Sequence, residues 1–163
     1  MTDARPAAVA IVGAGPKGVG VLERIAANAP ELLGDRPLVV HLVDSHPPGP
    51  GRVWRYRQSP LLRMNSMAED VTMFTDDSVA CAGPILPGPT LAEWMDHNRD
   101  RTTDPELAAE LRVSTSTTFA TRRLQSAYLD WFYAWVCDRL PANVEVRVHL
   151  TRAVDLTGPA DGE

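Results

Sequence analysis

Three glycines at fixed spacing, Gly13-Ala14-Gly15-Pro16-Lys17-Gly18, constrain this chain more than any other feature. They follow an unbroken run of small and β-branched residues, Ala8-Val9-Ala10-Ile11-Val12. Such a run predicts a strand buried on both faces of a parallel sheet. After the glycines, Val19, Leu22, Ala26 and Ala29 recur at helical spacing, with Glu23, Arg24 and Asn28 on the other faces. Pro30 and Gly34 are expected to end that helix. Leu38-Val39-Val40-His41-Leu42-Val43 reads as a second buried strand, closing at Asp44. Strand, helix and strand in this order predict a right-handed βαβ unit. The fold class is therefore α/β, a Rossmann-like parallel sheet with flanking helices.

The glycine pattern has a geometric chemistry. The first glycine permits the tight turn from strand to helix. The second lets the backbone approach a pyrophosphate, and the third lets the helix pack close to the strand. The helix start then presents free N–H groups and a partial positive charge to phosphates. Pro16 suits the first helical turn, where its missing N–H costs nothing. Asp44 is placed to accept hydrogen bonds from ribose hydroxyls. It falls somewhat further along than the ~20 residues usual for this acid, and the segment from Ala29 to Pro37 accounts for the excess. A carboxylate there favours a free 2′-hydroxyl over a 2′-phosphate. A Walker-type phosphate loop is excluded because Val19 follows Gly18. A purely structural tight turn, a methyltransferase and an NAD-dependent dehydrogenase remain alternative uses of the same motif. Lys17, the sole lysine, is read equally as a phosphate or substrate neighbour and as a solvated side chain.

The rest of the chain is punctuated. Residues 45–60 are loop-like, as is the stretch from Cys81 to Pro89. Thr90 is expected to cap a short helix carrying Leu91, Trp94 and Met95. Asp104-Pro105-Glu106 opens another, through Leu107 and Leu111. The hydroxyl run Ser114 to Thr118 marks a break. Leu124, Tyr128, Trp131, Phe132, Trp135 and Val136 then predict an amphipathic helix, which Pro141 terminates. Val144, Val146, Val148 and Leu150 alternate with Glu145, Arg147 and His149, a strand with one buried face.

Composition narrows the function. A net charge of −5 argues against general nucleic-acid binding. Arg52, Arg55, Arg57 and Arg63 form a local basic stretch without an acid. It reads as an anion clamp for cofactor phosphates or as a solvated loop. No apolar run is long enough to cross a membrane, and the N-terminus lacks the signal-peptide pattern, so the expected compartment is the cytoplasm. Cys81 and Cys137 belong to no paired motif and are expected as buried small hydrophobes. His41, His46, His97 and His149 show no metal-ligand spacing, so no metal site is expected.

The opening Val9 to Gly18, with Asp44 closing the second strand, resembles the FAD-NAD(P)-binding flavoproteins. These are related to flavin-dependent monooxygenases, including amino-acid N-hydroxylases. Gly51-Arg52-Val53-Trp54 is similar to that family's glycine-plus-aromatic stretch. Leu62-Arg63-Met64-Asn65 with Thr72-Met73-Phe74 resembles its "L-x-M-N … T-x-F" segment, and Arg122-Arg123 before Tyr128-Leu129 its "R-R … Y-L" helix entry. The likeness covers residues 8–156. It implies that Gly13, Gly15 and Gly18 line the FAD pyrophosphate, that Asp44 holds the adenosine ribose and that Trp54 and Asn65 lie toward the ribityl or isoalloxazine end. Pro16, Lys17, Ser45, Arg52 and Arg122 are also expected among the cofactor-binding residues. The backbone at Ala153 and Val154 meets the adenine edge, and both residues are expected to be strand core.

The resemblance further implies an FAD-binding part of an NAD(P)H-dependent monooxygenase acting on a small molecule. The domain reading is one FAD-binding unit over residues 1–163, its N-terminal portion, with a helical and loop insertion at about 45–142. The alternative is a non-catalytic module completed by a second polypeptide. An Ala-x-Gly return segment and a second glycine motif are absent, and a hairpin turn is expected at Gly158 to Glu163. On this reading the sheet is incomplete, with an exposed apolar edge. No catalytic acid, base or nucleophile is assigned from the sequence.

Overall fold

The computed structural model describes residues 6–158. Three strands form one parallel sheet in the order β1 (Ala7–Val12), β2 (Leu38–Asp44), β3 (Val144–Leu150). β1 pairs with β2 from Ala7↔Leu38 to Val12↔Val43, and β2 pairs with β3 from Leu38↔Val144 to Asp44↔Leu150. Helix α1 (Pro16–Leu32) makes the first crossover. The second carries α2 (Leu91–Asn98), α3 (Pro105–Val113) and α4 (Arg122–Cys137). The α/β architecture expected from the strand–helix–strand pattern is present. The hairpin expected at Gly158 to Glu163 lies almost wholly outside the described residues. No described helix is long and apolar enough to cross a membrane.

Burial follows strand position. In central β2, Leu38, Val39, Val40 and Leu42 are buried. β1 departs from the expectation of a strand covered on both faces. Ala7 to Ala10 are exposed, and Val12 is 69% exposed. The reason is topological: among the described residues β1 is an edge strand, and only its Ile11 packs into the core. β3 begins buried at Val144, but Val148 and Leu150 are exposed, so the predicted buried face covers only the start of the strand. On the uncovered face, His41 and His149 stack with ring nitrogens 2.8 Å apart, a contact across two strands that no sequence spacing announces.

Two apolar clusters organise the helices. In the first, Val19, Leu22 and Ala26 of α1 and Phe132 and Val136 of α4 close over Val40 and Leu42. Phe74 plugs it, edge-on to Phe132 and Trp135 at 5.0 and 4.8 Å between centroids. Each fully buried side chain of this size contributes about 1.5–3 kcal/mol. The second cluster joins Leu91, Trp94 and Met95 to Leu107, Leu111, Leu124 and Tyr128. The Tyr128 hydroxyl donates to the Pro89 carbonyl at 2.8 Å and accepts from the Met73 N–H at 3.1 Å, fixing two loops to α4.

The helix starts follow their capping residues. Thr90 and Glu93 form a reciprocal capping box on α2. Asp104 accepts from the N–H groups of Glu106 and Leu107 at the start of α3. Thr121 caps α4 through Leu124 N–H, and its own hydroxyl donates to Glu110 of α3. The expected end of α1 is corrected: the helix runs through Pro30 to Leu32. Proline there removes one hydrogen bond near the helix end, while Leu33 N–H still reaches the Ala29 carbonyl at 2.9 Å. Gly34, with φ +55°, is where the chain turns away. The cysteines are corrected too. Cys81 is exposed on the loop over α1 and Cys137 is half-buried.

Two outcomes follow. The open β1 edge has no charge to blunt it, so the chain is expected to associate as concentration rises. Light scattering across a dilution series checks this, and Ala8→Lys should suppress the association. The α3 cap gives a pH signature. The Leu107 N–H, with the Glu106 N–H and the neighbouring Tyr56 and Arg123, holds the Asp104 carboxyl below the ordinary carboxylate range. A depressed folded-state value stabilises fully above the unfolded value and is lost as pH falls through the folded one. Asp104→Asn, which caps but does not titrate, should flatten the acid limb of urea midpoints measured from about pH 5 to about pH 2.

Candidate cofactor-binding site

The sharpest geometry in the molecule lies where β1 meets α1. Gly13 leaves the strand at φ +98°, a conformation that favours glycine, and its N–H donates to the Val43 carbonyl at 2.8 Å. Gly15 is the N-cap of α1 and Pro16 its first residue, and among the described residues no side chain caps the helix. The leading N–H groups are thus left without a side-chain acceptor, at the positive end of a 17-residue helix. A Cβ on Gly18 would overlap the Gly13 carbonyl oxygen and come within 3.3 Å of the Ile11 side chain. Helix and turn touch backbone to backbone.

Asp44 closes the arrangement from β2. One carboxylate oxygen accepts from the Ala14 N–H at 2.9 Å, and the other from the His46 N–H at 2.9 Å. The acid therefore ties the glycine turn to the loop that follows β2. Its two oxygens offer about four lone-pair positions, so acceptor capacity remains for ribose hydroxyls. His46 lies 3.6 Å from the same carboxylate, and the Ser45 hydroxyl lies 3.1 Å from the His46 ring.

The loop then threads between the glycine turn and α4. Gly49 N–H donates to the Ala14 carbonyl at 2.9 Å. Gly49, at φ +93°, has room for no side chain, since a Cβ would sit 2.6 Å from the Leu129 carbonyl oxygen. Gly51, at φ +58°, lies so close to Gly15 that a Cβ would stand 2.8 Å from its Cα. Sequence reasoning misses both as close-approach positions. The available signal is the run Pro47-Pro48-Gly49-Pro50-Gly51, where two glycines interrupt three prolines.

The other sequence-derived candidates divide into groups. Lys17 is exposed on the first turn of α1, and Arg52 is exposed beside Gly51. Trp54 and Arg122, far apart in sequence, meet with the guanidinium 5.6 Å from the ring centroid. Residues 62–64 pair with 120–122: Met64 N–H donates to the Ala120 carbonyl at 2.8 Å and Arg122 N–H to the Leu62 carbonyl at 3.0 Å. Asn65 follows that pairing and is exposed. Ala153 and Val154 are corrected. They lie past the end of β3 in no strand, and Val154 is 88% exposed, because β3 stops at Leu150. They are not strand core.

A glycine-lined turn with an uncapped helix start and an acid at the end of the next strand defines a dinucleotide-binding βαβ module. A family model described as FAD-NAD(P)-binding matches residues 10–163. The chain belongs to that FAD-NAD(P)-binding family. Over 156 residues it is 44% identical to a nitrosuccinic acid synthase of Aspergillus oryzae, covering 94% of this chain and 22% of that protein. It is 41% identical over 162 residues to an L-aspartate N-monooxygenase (nitrosuccinate-forming) of Streptomyces cremeus, covering 94% of this chain and 24% of that protein. A third relative, the Streptomyces davaonensis L-aspartate N-monooxygenase (nitrosuccinate-forming), is 37% identical over 161 residues, covering 93% of this chain and 24% of that protein. The chain thus spans about a quarter of the length of the curated relatives it matches.

The cradle fits FAD. The uncapped start of α1 suits a pyrophosphate, a Cβ on Gly13 would meet nothing within 4 Å, so the space beside the turn is open, and Asp44 retains acceptor capacity for a ribose. Asp44→Ala removes two charge-assisted backbone hydrogen bonds, each worth about 1.5–3 kcal/mol. It is expected to destabilise the fold by at least about 2 kcal/mol in urea titration and to weaken FAD binding. Gly18→Ala, which forces the helix off the turn, should cost more than about 3 kcal/mol.

Proposed function

We propose that this chain is the N-terminal portion of the FAD-binding domain of a flavin-dependent N-monooxygenase. Residues 1–163 form that portion, with about 45–142 inserted between its second and third strands. The reaction proposed is N-hydroxylation of a small amino dicarboxylic acid, L-aspartate, with NAD(P)H as electron donor. One observation carries the reading. The cofactor cradle lies within a stretch 37–44% identical to nitrosuccinate-forming proteins, two of them named as L-aspartate N-monooxygenases. When bound, FAD supplies the redox chemistry. This chain's residues would bind and orient it: the start of α1 at the pyrophosphate, Asp44 at the ribose, and Trp54 with Arg122 further along.

The test is a visible spectrum of the full-length protein that carries this chain, purified with FAD, followed by NADH and NADPH oxidation with L-aspartate and mass analysis of the product. Flavin absorbance, aspartate-dependent turnover and an oxygenated amino group are expected. A protein that takes up no FAD, or that oxidises NAD(P)H with no hydroxylated product, overturns the reading. A second reading rests on the open β1 edge. It makes the chain a cofactor-binding module completed by another polypeptide. Robust turnover by these 163 residues alone would exclude that second reading.

A further inference from the structure

Beside the cofactor cradle lies a cavity of about 710 Å3, between the loop that follows β2 and helices α2, α3 and α4. Its volume is within the ~300–1,000 Å3 of small-molecule sites. Gly51 belongs to both places, since its backbone packs on Gly15 and it also lines the cavity. A ligand held there is therefore a neighbour of the glycine turn.

Three exposed residues put charge on the cavity wall: Arg55, Arg57 and Asp130. Arg55 and Arg57 line it, and among the described residues neither has a carboxylate within ion-pair distance. Asp130 of α4 lines it from the helix side and likewise has no cationic partner there. The other charged members are engaged. His46 lies against Asp44, and Asp104 caps α3. Trp94 also lines the cavity. It is only 5% exposed. Trp94 and Trp131 give the cavity an apolar wall, which strengthens electrostatic contacts made beside it.

Two guanidiniums and one carboxylate are the complement of a molecule with two carboxylates and one ammonium. Resting on the function proposed above, we propose that this cavity binds the amino dicarboxylic acid substrate. Arg55 and Arg57 each take a carboxylate, and Asp130 takes the α-ammonium. Arginine suits this task because its planar donor array matches a carboxylate edge. A cofactor phosphate would satisfy the two arginines as well, but it would bring negative charge up to Asp130, where an amino acid brings its ammonium. The unpaired acid is what favours an amino acid over a phosphate.

The experiment uses the FAD-loaded protein and measures binding of L-aspartate and succinate by calorimetry, together with the KM for NADPH. The variants are Arg55→Gln, Arg57→Gln and Asp130→Asn. All three side chains lie outside the two apolar clusters, and retained flavin absorbance confirms folding. Each arginine variant is expected to weaken L-aspartate and succinate by about tenfold or more. Asp130→Asn is expected to weaken L-aspartate comparably and to leave succinate, which has no ammonium, as tight or tighter. The KM for NADPH should not move. L-Aspartate binding that is unchanged in all three variants overturns this site while leaving the proposed function standing. A raised KM for NADPH with unchanged aspartate affinity overturns it in favour of a phosphate clamp. A wild-type protein that holds FAD but binds no L-aspartate overturns the site and the substrate reading together.

Discussion

Backbone contact at the end of β1 is the constraint on which the remaining structure depends. Gly18 rests against the Gly13 carbonyl, and Gly51 rests against Gly15. No side chain fits at either contact, so the start of α1, the end of β1 and the loop after β2 are held as one body. Asp44 completes it by accepting from both the turn and the loop. Because both of its hydrogen bonds go to backbone, the acid is a structural clasp. A site assembled from main chain is insensitive to rotamer, which is what a cofactor cradle needs if it is to be formed before the cofactor arrives.

Helix α4 carries this rigidity into the rest of the chain. Its Phe132 and Val136 belong to the cluster over the sheet, and its Leu124 and Tyr128 belong to the cluster shared with α2 and α3. Trp131 packs against both. The same helix meets Gly49 at the Leu129 carbonyl and presents Asp130 to the cavity beside the cradle. Arg123, near its start, bridges Glu106 and Glu110 of α3 at 2.9 and 3.3 Å. Cradle, cavity and both cores are therefore fixed to one element.

Legibility in the sequence tracked how local the physics was. The glycine turn, the acid after β2, the caps at Thr90 and Asp104 and the amphipathic α4 all depend on residues within one or two helical turns, and all were readable. Pro30 misled because a proline signals a stop without saying how little a helix loses in its last turn. The burial of β1 misled because composition reports what a strand is suited to, whereas exposure depends on which neighbours lie beside it. Gly49 and Gly51 were hidden because their constraint comes from Leu129 and Gly15, partners distant in sequence. The pairing of 62–64 with 120–122 and the meeting of Trp54 with Arg122 were hidden for the same reason. Ala153 and Val154 were assigned to a strand that ends before them.

The second crossover has a kinetic meaning. β2 and β3 are hydrogen-bonded neighbours, yet the whole stretch from Ser45 to Asn143 lies between them. Closing so long an excursion costs chain entropy that rises only slowly with its length, so the equilibrium tolerates it. The rate is less tolerant, because pairs distant in sequence are slow to find one another. The α2–α3–α4 cluster lies inside the excursion and is built from nearer contacts. It shortens the effective search by folding the intervening chain into a compact unit that returns β3 to the sheet. The second crossover is thus both a delay in folding and the means by which the delay is limited.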